Sequence, residues 1–264
     1  MNLSKLKIKK SFDAAAQTYN EAAFVQSQAG ADLINKFNNL NLDICANKIM
    51  DIGSGTGYLA KQLAIQFPKA DINCVDFSNK MLREARNYAD YNNIKYINAD
   101  FDSLPFNAQS IDLVCSNFAL QWSLDLNQTF RELSRVLKPE GYCLFTTLGP
   151  NTLIELNNSW LKIDSDKHVN EYCSLDYIKN FLKKYNMNII HSESAITAMY
   201  FSTVRDIMKN LKAVGANYVI NKKSKNLMTR KKFNLLIKYY EDYRNSINLL
   251  PVSYEIIYMI AKKI

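Results

Sequence analysis

The chain has 264 residues, of which 48% are hydrophobic and 22% are charged. These fractions exclude a disordered chain, a collagen-like repeat and a coiled-coil rod. No apolar run approaches the ~18 residues that a membrane-spanning helix needs, so we expect a globular protein without a membrane span. The length favours one elaborated domain over residues 1–264 rather than two independent domains.

The formal net charge of +8 is concentrated in one segment. Residues 1–150 carry 15 basic and 15 acidic side chains, whereas residues 205–244 carry 11 basic and 3 acidic side chains. This asymmetry predicts an acidic partner, which could be a nucleic acid, a membrane surface or an acidic protein. A nucleic acid is disfavoured because the lysines are not interleaved with an aromatic platform. The bias of an AT-rich genome would explain many lysines but not their clustering.

The five cysteines are odd in number and scattered, and they include no C-x-x-C pair. They are therefore predicted to be reduced and mostly buried small residues. The N-terminus is basic, but no apolar segment follows it, so we predict no signal peptide and a cytoplasmic location.

From residue 48 onward, short apolar runs alternate with helical patterns, which is typical of a parallel sheet covered by helices. The predicted strands of this core, residues 48–147, are 48–52, 71–75, 94–98, 111–116 and 142–147. The predicted helices between them are 58–66, 79–90 and 126–137. The last helix is followed by a predicted turn at residues 138–141, which contain proline and glycine. This alternation predicts a doubly wound α/β fold.

Two segments outside this core are predicted to be largely helical. Residues 1–42 form an N-terminal helical cap in this prediction. After the core, a helical stretch leads to a predicted strand pair, 188–193 and 195–201. Residues 203–250 are predicted to be a basic helical lid, inserted before a last strand at 254–260. The lid should contain two amphipathic helices, because apolar residues recur at helical spacing beside a basic face.

Three of the seven glycines stand close together at Gly53, Gly55 and Gly57, directly after the first predicted strand. Bare backbone at the start of a helix lets a ligand approach the N–H groups. The dinucleotide pattern is broken because Tyr58 stands where its third glycine belongs. Asp51, two residues before the glycines, suits a ligand with a cationic amino acid end better than a pyrophosphate.

Two further acidic residues end later strands. Asp76 ends the second predicted strand, where a carboxylate can accept both ribose hydroxyls. Asp100 ends the third, where it could accept from an adenine amino group while Phe101 covers the base. Each acid alone could equally be a helix cap or a turn residue. Because the carboxyl ends of successive parallel strands converge on one crevice, the acids together predict a nucleoside ligand.

The motifs D-I-G-S-G-T-G, V-D-F-S, N-A-D-F and D-L-V-C-S-N resemble those of class I S-adenosylmethionine-dependent methyltransferases. The resemblance implies a seven-stranded Rossmann-like sheet and S-adenosyl-L-methionine as the cofactor. It implies that Asn117 lies beside the methionine end of the cofactor. The full set of cofactor-binding residues that we predict is Gln26, Asp51, Gly53, Gly55, Gly57, Asp76, Phe77, Met81, Asp100, Phe101 and Asn117.

A narrower resemblance covers nearly the full length of the chain. The blocks F-D-A-A-A-Q-T-Y, S-N-F-A-L-Q-W, F-T-T-L-G-P-N-T-L-I-E-L, D-I-M-K-N-L-K-A-V-G-A-N and S-Y-E-I-I-Y resemble the malonyl-[acyl-carrier-protein] O-methyltransferases of biotin synthesis. The family esterifies the free carboxylate of a malonyl thioester, which then primes a pimeloyl chain. The resemblance implies that an acidic acyl carrier protein docks on the basic segment 205–244.

An alternative is a relative on the same scaffold that methylates another small acid or a quinone. A protein-modifying factor in respiratory complex assembly is a second alternative of this kind.

Methyl transfer to a carboxylate needs no general base, because the nucleophile is already ionised at pH 7. It needs alignment of the reacting atoms and exclusion of water. The sequence offers no metal-ligand cluster, so no metal is expected. The predicted substrate-positioning residues are Tyr19, Gln121, Trp122, His168 and Lys212, with Arg205 as a second candidate anchor for the carboxylate. Trp122 could instead be a core aromatic, His168 a hydrogen-bonded loop residue and Lys212 a solvated lysine.

Overall fold

The computed structural model describes residues 3–42, 44–220 and 229–264. Its strands are β1 (Lys48–Ile52), β2 (Asp71–Asp76), β3 (Ile94–Asn98), β4 (Ile111–Asn117), β5 (Leu137–Leu148), β6 (Met187–Phe201) and β7 (Leu250–Lys263). They form one seven-stranded sheet in the order β3-β2-β1-β4-β5-β7-β6. Strand β7 is antiparallel to both of its neighbours, and the other pairs are parallel. The reversal of strand order between β1 and β4 confirms the predicted doubly wound fold.

Helices cover both faces of this sheet. They are α1 (Leu3–Ala15), α2 (Tyr19–Ala22), α3 (Phe24–Asn39), α4 (Tyr58–Gln66), α5 (Asn79–Tyr88), α6 (Leu126–Val136), α7 (Ile154–Leu161), α8 (Leu175–Lys184), α9 (Val204–Ala213) and α10 (Arg230–Tyr240). Short 3-10 helices lie at Leu120–Trp122 and Glu241–Tyr243. Several helices begin where a side chain accepts a hydrogen bond from an N–H three residues later, as Ser78, Asp125 and Thr203 do. These caps satisfy N–H groups that the first helical turn leaves free.

Successive side chains of the central strands pack alternately into two hydrophobic clusters. In β1, Ile49 packs with Leu33 of α3 in one cluster, while the adjacent Met50 packs with Phe130 of α6 in the other. Successive side chains of a strand point to opposite faces, so a strand covered on both sides must be apolar at nearly every position. This explains the continuous apolar runs in the sequence.

The predicted strand pair at 188–193 and 195–201 is wrong. The structure has a single strand, β6, which pairs with β7 over its whole length apart from an irregularity between Ile189 and His191. The prediction placed a break in the polar run Ser192, Glu193 and Ser194. These residues continue the ladder, because β6 is an edge strand and its half-exposed face tolerates polar side chains.

The predicted turn at 138–141 lies inside strand β5. Leu137 already pairs with Ile111, and the next paired residues are Leu113 and Tyr142, so the intervening residues bulge out of the ladder. Glu140 within the bulge has a φ of 65°. Proline and glycine here mark an irregularity within a strand, which is the other position where these residues occur in sheets.

The two amphipathic helices of the basic segment are present as α9 and α10. Helix α9 buries Ile207 and Leu211, and α10 buries Leu236 and Tyr240, while Arg205 and Lys212 are exposed. Three lysines of the predicted basic segment lie outside the described residues, namely Lys222, Lys223 and Lys225. Within the described residues, no helix is both long enough and apolar enough to cross a membrane.

Candidate active site

The glycine loop connects β1 to α4 and is held against the end of β2. Gly53 has a φ of 62°, and its N–H donates to the Val75 carbonyl at 2.7 Å. A Cβ added at Gly55 would meet no heavy atom within 4 Å, so the backbone there borders open space. Gly57 (φ 85°) opens α4 beside Ala85 and therefore serves local packing. The loop thus presents bare backbone at the carboxyl edge of the sheet.

Asp51 is buried beneath this loop, with a relative exposure of 1%. Its Oδ2 accepts a hydrogen bond from the Ala60 N–H at 3.1 Å, whereas its buried Oδ1 has no hydrogen-bond partner among the described residues. Burial raises the pKa of this carboxyl to about 7, and the nearby charge of Asp76 adds to the rise. A buried oxygen without a partner is costly, so this position suits a cationic ligand group that donates hydrogen bonds.

Asp76 ends β2 beside the same loop. Its Oδ2 accepts from the Gly55 N–H at 3.0 Å, and its Oδ1 accepts from the Ser78 N–H at 2.7 Å. Burial raises the pKa of Asp76 to about 6, even though both of these hydrogen bonds lower it. The carboxylate therefore shapes the glycine loop as well as facing the crevice, a structural role that its position in the sequence did not reveal.

Most of the predicted cofactor residues line one cleft at the carboxyl edge of the sheet. Its larger part lies against the strand ends and α5. This part is lined by Gly53, Gly55, Asp76, Phe77, Met81, Phe101 and Asn117, among others. The adjoining part is lined by Gln26 and Asp51 together with Gly53, Gly55 and Asn117. Tyr19 lines both parts.

Asn117 is oriented by two hydrogen bonds. Its Nδ2 donates to the Gln26 carbonyl at 2.8 Å, and its Oδ1 accepts from the Thr146 hydroxyl at 2.6 Å. The side chain thereby links α3 to the sheet and forms a fixed wall of the cleft.

Asp100 is directed toward the N-terminal helix rather than into the cleft. Lys5 of α1 places its Nζ 2.5 Å from a carboxylate oxygen of Asp100 and 2.5 Å from one of Asp102. Neither acid lines the cleft, although Phe101 between them does. Phe12 of the same helix lies edge-on to Trp122, with ring centroids 5.4 Å apart, so α1 covers the cleft.

A further cavity, called here the inner cavity, adjoins the cleft. Four of the predicted residues line it, namely Tyr19, Gln26, Gln121 and Trp122. Leu211 of α9 and Val214, directly after this helix, close one side. Three residues that the sequence analysis did not single out, Thr152, Tyr172 and Tyr254, add to its polar lining. No lysine or arginine of the described residues lines the inner cavity.

The tyrosine hydroxyls of this cavity are available to a ligand. Those of Tyr19, Tyr172 and Tyr254 make no hydrogen bond to any residue in the described parts of the chain. Burial raises the pKa of all three, so each hydroxyl remains protonated at neutral pH and can donate. The inner cavity is therefore a pocket of neutral donors beside the cleft.

His168 lies away from these cavities. Its Nε2 is 2.7 Å from Asp164 Oδ1, and its ring stacks on Trp160 with centroids 3.7 Å apart. Asp164 also binds Lys232 of α10. Burial alone would raise the pKa of Asp164, but the hydrogen bonds from Lys232 and His168 bring it down to about 2. His168 therefore belongs to a cluster that fastens α10 to the neighbouring loop.

Lys212 also lies outside the inner cavity, although Leu211 lines it. It is exposed and faces a surface groove between α1 and α9, together with Lys209. Arg205 is exposed on α9, and its guanidinium lies 5.8 Å from the centre of the Phe233 ring. The described structure brings neither of these predicted anchors to the cleft.

Phe12, Tyr172 and Tyr254 are among the lining residues that residue chemistry alone did not identify. Phe12 and Tyr254 stand in blocks that carried the family resemblance, so a signal for them was present in F-D-A-A-A-Q-T-Y and S-Y-E-I-I-Y. Tyr172 stands in a loop without any such pattern.

A family model described as a methyltransferase domain matches residues 50–145. Among solved structures, a methyltransferase-like protein from Bacillus halodurans superposes with a TM-score of 0.63 over 88% of this chain and 99% of its own. At 17% identity, that likeness shows the shared fold alone.

Curated relatives match nearly the whole chain. A biotin biosynthesis bifunctional protein BioHC from Cellvibrio japonicus is 32% identical over 99% of this chain, which spans about half (51%) of that relative's length. The malonyl-[acyl-carrier protein] O-methyltransferase 1 of Coxiella burnetii is 32% identical over 95% of this chain and 85% of its own. By this similarity over most of both lengths, the chain belongs to the malonyl-[acyl-carrier protein] O-methyltransferase family.

Proposed function

We propose that the protein transfers a methyl group from S-adenosyl-L-methionine to the free carboxylate of a malonyl group carried by acyl carrier protein. The observation that supports this most directly is the pairing of two adjoining sites. One holds, at Asp51, a buried carboxylate oxygen without a partner among the described residues, and the other holds neutral hydroxyl donors. The first suits a cationic amino acid end and the second suits an anionic carboxylate. We take the identity of the methyl acceptor, a malonyl group on acyl carrier protein, from the names of the relatives.

The cleft residues fit the proposed cofactor. Asp51 and the backbone at Gly53 and Gly55 would hold the methionine end, and Asp76 would accept the ribose hydroxyls. The side chains that would surround the adenine are Phe77, Met81 and Phe101. S-adenosyl-L-methionine supplies the methyl group from a sulfonium that carries its own leaving group. Because Asp100 is bound to Lys5, we propose that it holds α1 over the cleft and contacts the base only if that ion pair opens.

In the transfer, the protein would bind and orient the carboxylate and exclude water from around it. Tyr254 and Tyr172 would donate to one carboxylate oxygen, leaving the other free to attack, while Tyr19 lies between the inner cavity and the cleft. Trp122, Leu211 and the other apolar walls exclude water, which strengthens these hydrogen bonds. No residue needs to remove a proton. The methyl ester would then prime pimeloyl chain synthesis for biotin, in the cytoplasm as the sequence predicts.

The direct test is transfer of a radiolabelled methyl group to malonyl-acyl carrier protein, compared with malonyl-coenzyme A and free malonate. We expect a base-labile methyl ester on the carrier protein. Acetyl-acyl carrier protein, which lacks the free carboxylate, is the matched control and should remain unlabelled. Labelling of free small acids without labelling of the malonyl carrier protein would overturn the proposal and favour a relative with another substrate.

Asp51→Asn should weaken cofactor binding and remove its pH dependence. In the native protein, the cationic ligand end favours ionised Asp51, so affinity for S-adenosylhomocysteine should fall about tenfold from pH 8 to pH 6 as a carboxyl with a pKa of about 7 takes up a proton. The variant should bind more weakly at pH 8 and show little change between these pH values. Calorimetric titration measures both quantities.

Measuring the unfolding free energy of Asp51→Asn distinguishes a loss of cofactor affinity from misfolding of the variant. A folded-state pKa above the unfolded value means that ionisation opposes folding, so the cost is absent at pH 4 and complete above pH 7. Asp51→Asn should therefore raise the unfolding free energy at pH 8, by about 4 kcal/mol, and not at pH 4. Asp71→Asn, at the exposed opposite end of β2, is the control and should change neither affinity nor stability in this way. A pH-independent native affinity would refute the role of Asp51.

Tyr254→Phe and Tyr172→Phe should each lower kcat/KM for malonyl substrates roughly ten- to hundredfold, since a hydrogen bond to a charged group contributes about 1.5–3 kcal/mol. Cofactor affinity should be unchanged. Tyr200→Phe, on the exposed part of β6, is the matched control. Lys212→Ala should have no effect on malonyl-pantetheine, a small thioester without the carrier. If that lysine variant loses activity on this substrate and the tyrosine variants do not, the anchor is Lys212 after all.

We place the carrier protein on the exposed basic face of α9 and the start of α10. Arg205, Lys212, Arg230 and Lys231 are exposed there and form no ion pair with any described residue. Acyl carrier proteins are acidic, so complementary charge would steer the encounter and fade with salt.

Reversing two of these charges tests the docking face. Lys209→Glu with Lys212→Glu should raise KM for malonyl-acyl carrier protein about tenfold at low salt and leave KM for malonyl-pantetheine unchanged. Lys48→Glu with Lys69→Glu changes the net charge equally at the amino edge of the sheet and should have a much smaller effect. Equal losses from both pairs would indicate general attraction to a basic protein rather than docking at α9.

A further inference from the structure

A second large cavity, called here the entrance cavity, opens beside the inner cavity. It has a volume of about 370 Å³ and lies between the end of β5, the 3-10 helix at Leu120–Trp122, the loop before α8 and α8 itself. Ligand clefts in proteins are roughly 300–1,000 Å³, so this space is larger than a malonyl group requires. The cofactor cleft does not need it either, because the two share no lining residue.

The entrance cavity adjoins the inner cavity. Gln121, Leu148 and Tyr172 line both. The Gln121 side chain is fixed at this junction, since its Nε2 donates to the Phe118 carbonyl at 2.7 Å. The Tyr172 hydroxyl has no hydrogen-bond partner among the described residues. The entrance cavity, the inner cavity and the cleft therefore lie next to one another in that order, and Tyr19 lines both the inner cavity and the cleft.

The lining of the entrance cavity suits a chain of alternating polar and apolar groups. Leu126 and Ile178 provide apolar wall, whereas Ser123, Thr147 and Asn170 provide polar groups. A pantetheine arm has this character, because amides separate its methylene and dimethyl segments. A malonyl group at the end of such an arm needs a route of this kind to reach a buried cleft.

The basic groove between α1 and α9 is the other candidate route, and it is closed. It shares no lining residue with the inner cavity. The Thr18 hydroxyl donates to the Ala213 carbonyl at 3.1 Å, and the Asn210 side chain donates to the Ala22 carbonyl at 3.3 Å. These hydrogen bonds connect α2 and the residue before it, Thr18, to α9. They lie between the groove and the inner cavity.

We propose that the entrance cavity binds the pantetheine arm of the substrate, and that the thioester passes between Gln121 and Tyr172 into the inner cavity. This inference rests on the proposed function and adds the route and the residues of the passage. The carrier protein itself would remain outside, with its charges on the basic face of α9 and α10.

Two cysteines of the chain report on this inference. Cys173 lines the entrance cavity and is half-buried, while Cys45 is exposed elsewhere and serves as an internal reference. With S-adenosylhomocysteine bound, malonyl-pantetheine at ten times its dissociation constant should slow alkylation of Cys173 by N-ethylmaleimide about tenfold, because only the free protein reacts. Alkylation of Cys45 should not change. Mass spectrometry of the modified peptides measures both rates in one sample.

A pair of bulky variants gives the second readout. Cys173→Phe should raise KM for malonyl-pantetheine several-fold without changing S-adenosylhomocysteine affinity, whereas Ala14→Trp, which fills the basic groove, should leave that KM unchanged. The reverse pattern, or an unprotected Cys173 in an enzyme that methylates malonyl-pantetheine, would overturn the inference and leave the proposed function standing. A native protein that methylates neither malonyl-pantetheine nor malonyl-acyl carrier protein would overturn both.

Discussion

The buried Asp51 carboxylate is the constraint around which the site is organised. One of its oxygens receives the Ala60 N–H, and the other has no partner among the described residues, in a position that solvent barely reaches. Desolvation is severe enough to move the pKa of this carboxyl to about 7. A chain selected only for stability would not retain such a group. Its retention is consistent with the proposed function, in which a cationic ligand group would donate the hydrogen bond that this oxygen does not receive from the described residues.

The N-terminal cap covers the carboxyl edge of the sheet, where the candidate site lies. Lys5 joins α1 to the acids that follow β3, Phe12 packs on Trp122, and Thr18 fastens the cap to α9. The cofactor cleft and the inner cavity consequently meet at Tyr19, and the entrance cavity adjoins the inner cavity at Gln121 and Tyr172. An enclosed meeting point is what a transfer between two bound groups requires, because water in the gap would solvate the nucleophile.

The sequence predicted the parts of this site that depend on local rules. Gly53 and Asp51 stand at fixed spacing after an apolar strand, and strand ends converge by topology, so the cleft could be located in advance. His168 and Tyr172 could not be assigned from the sequence, because a loop side chain takes its role from distant neighbours. His168 stacks on Trp160 and binds Asp164, whereas Tyr172, four residues later, reaches the cavity. The prediction divided β6 into two strands, because an edge strand permits a polar run that resembles a turn in the sequence.

The absence of a lysine or arginine from the described lining of the inner cavity is consistent with the charge flow of methyl transfer. A carboxylate and a sulfonium become an ester and a neutral sulfide, so negative charge on the nucleophile decreases as the reaction proceeds. A lysine ammonium 4 Å away would contribute about 4 kcal/mol of attraction at an effective dielectric constant of 20, and most to the fully charged reactant. Interactions stronger in the ground state than in the transition state slow the chemical step. In the proposed function, neutral donors such as Tyr172 and Tyr254 would orient the carboxylate while reducing its nucleophilicity less, and the cations of α9 would act on the carrier protein outside.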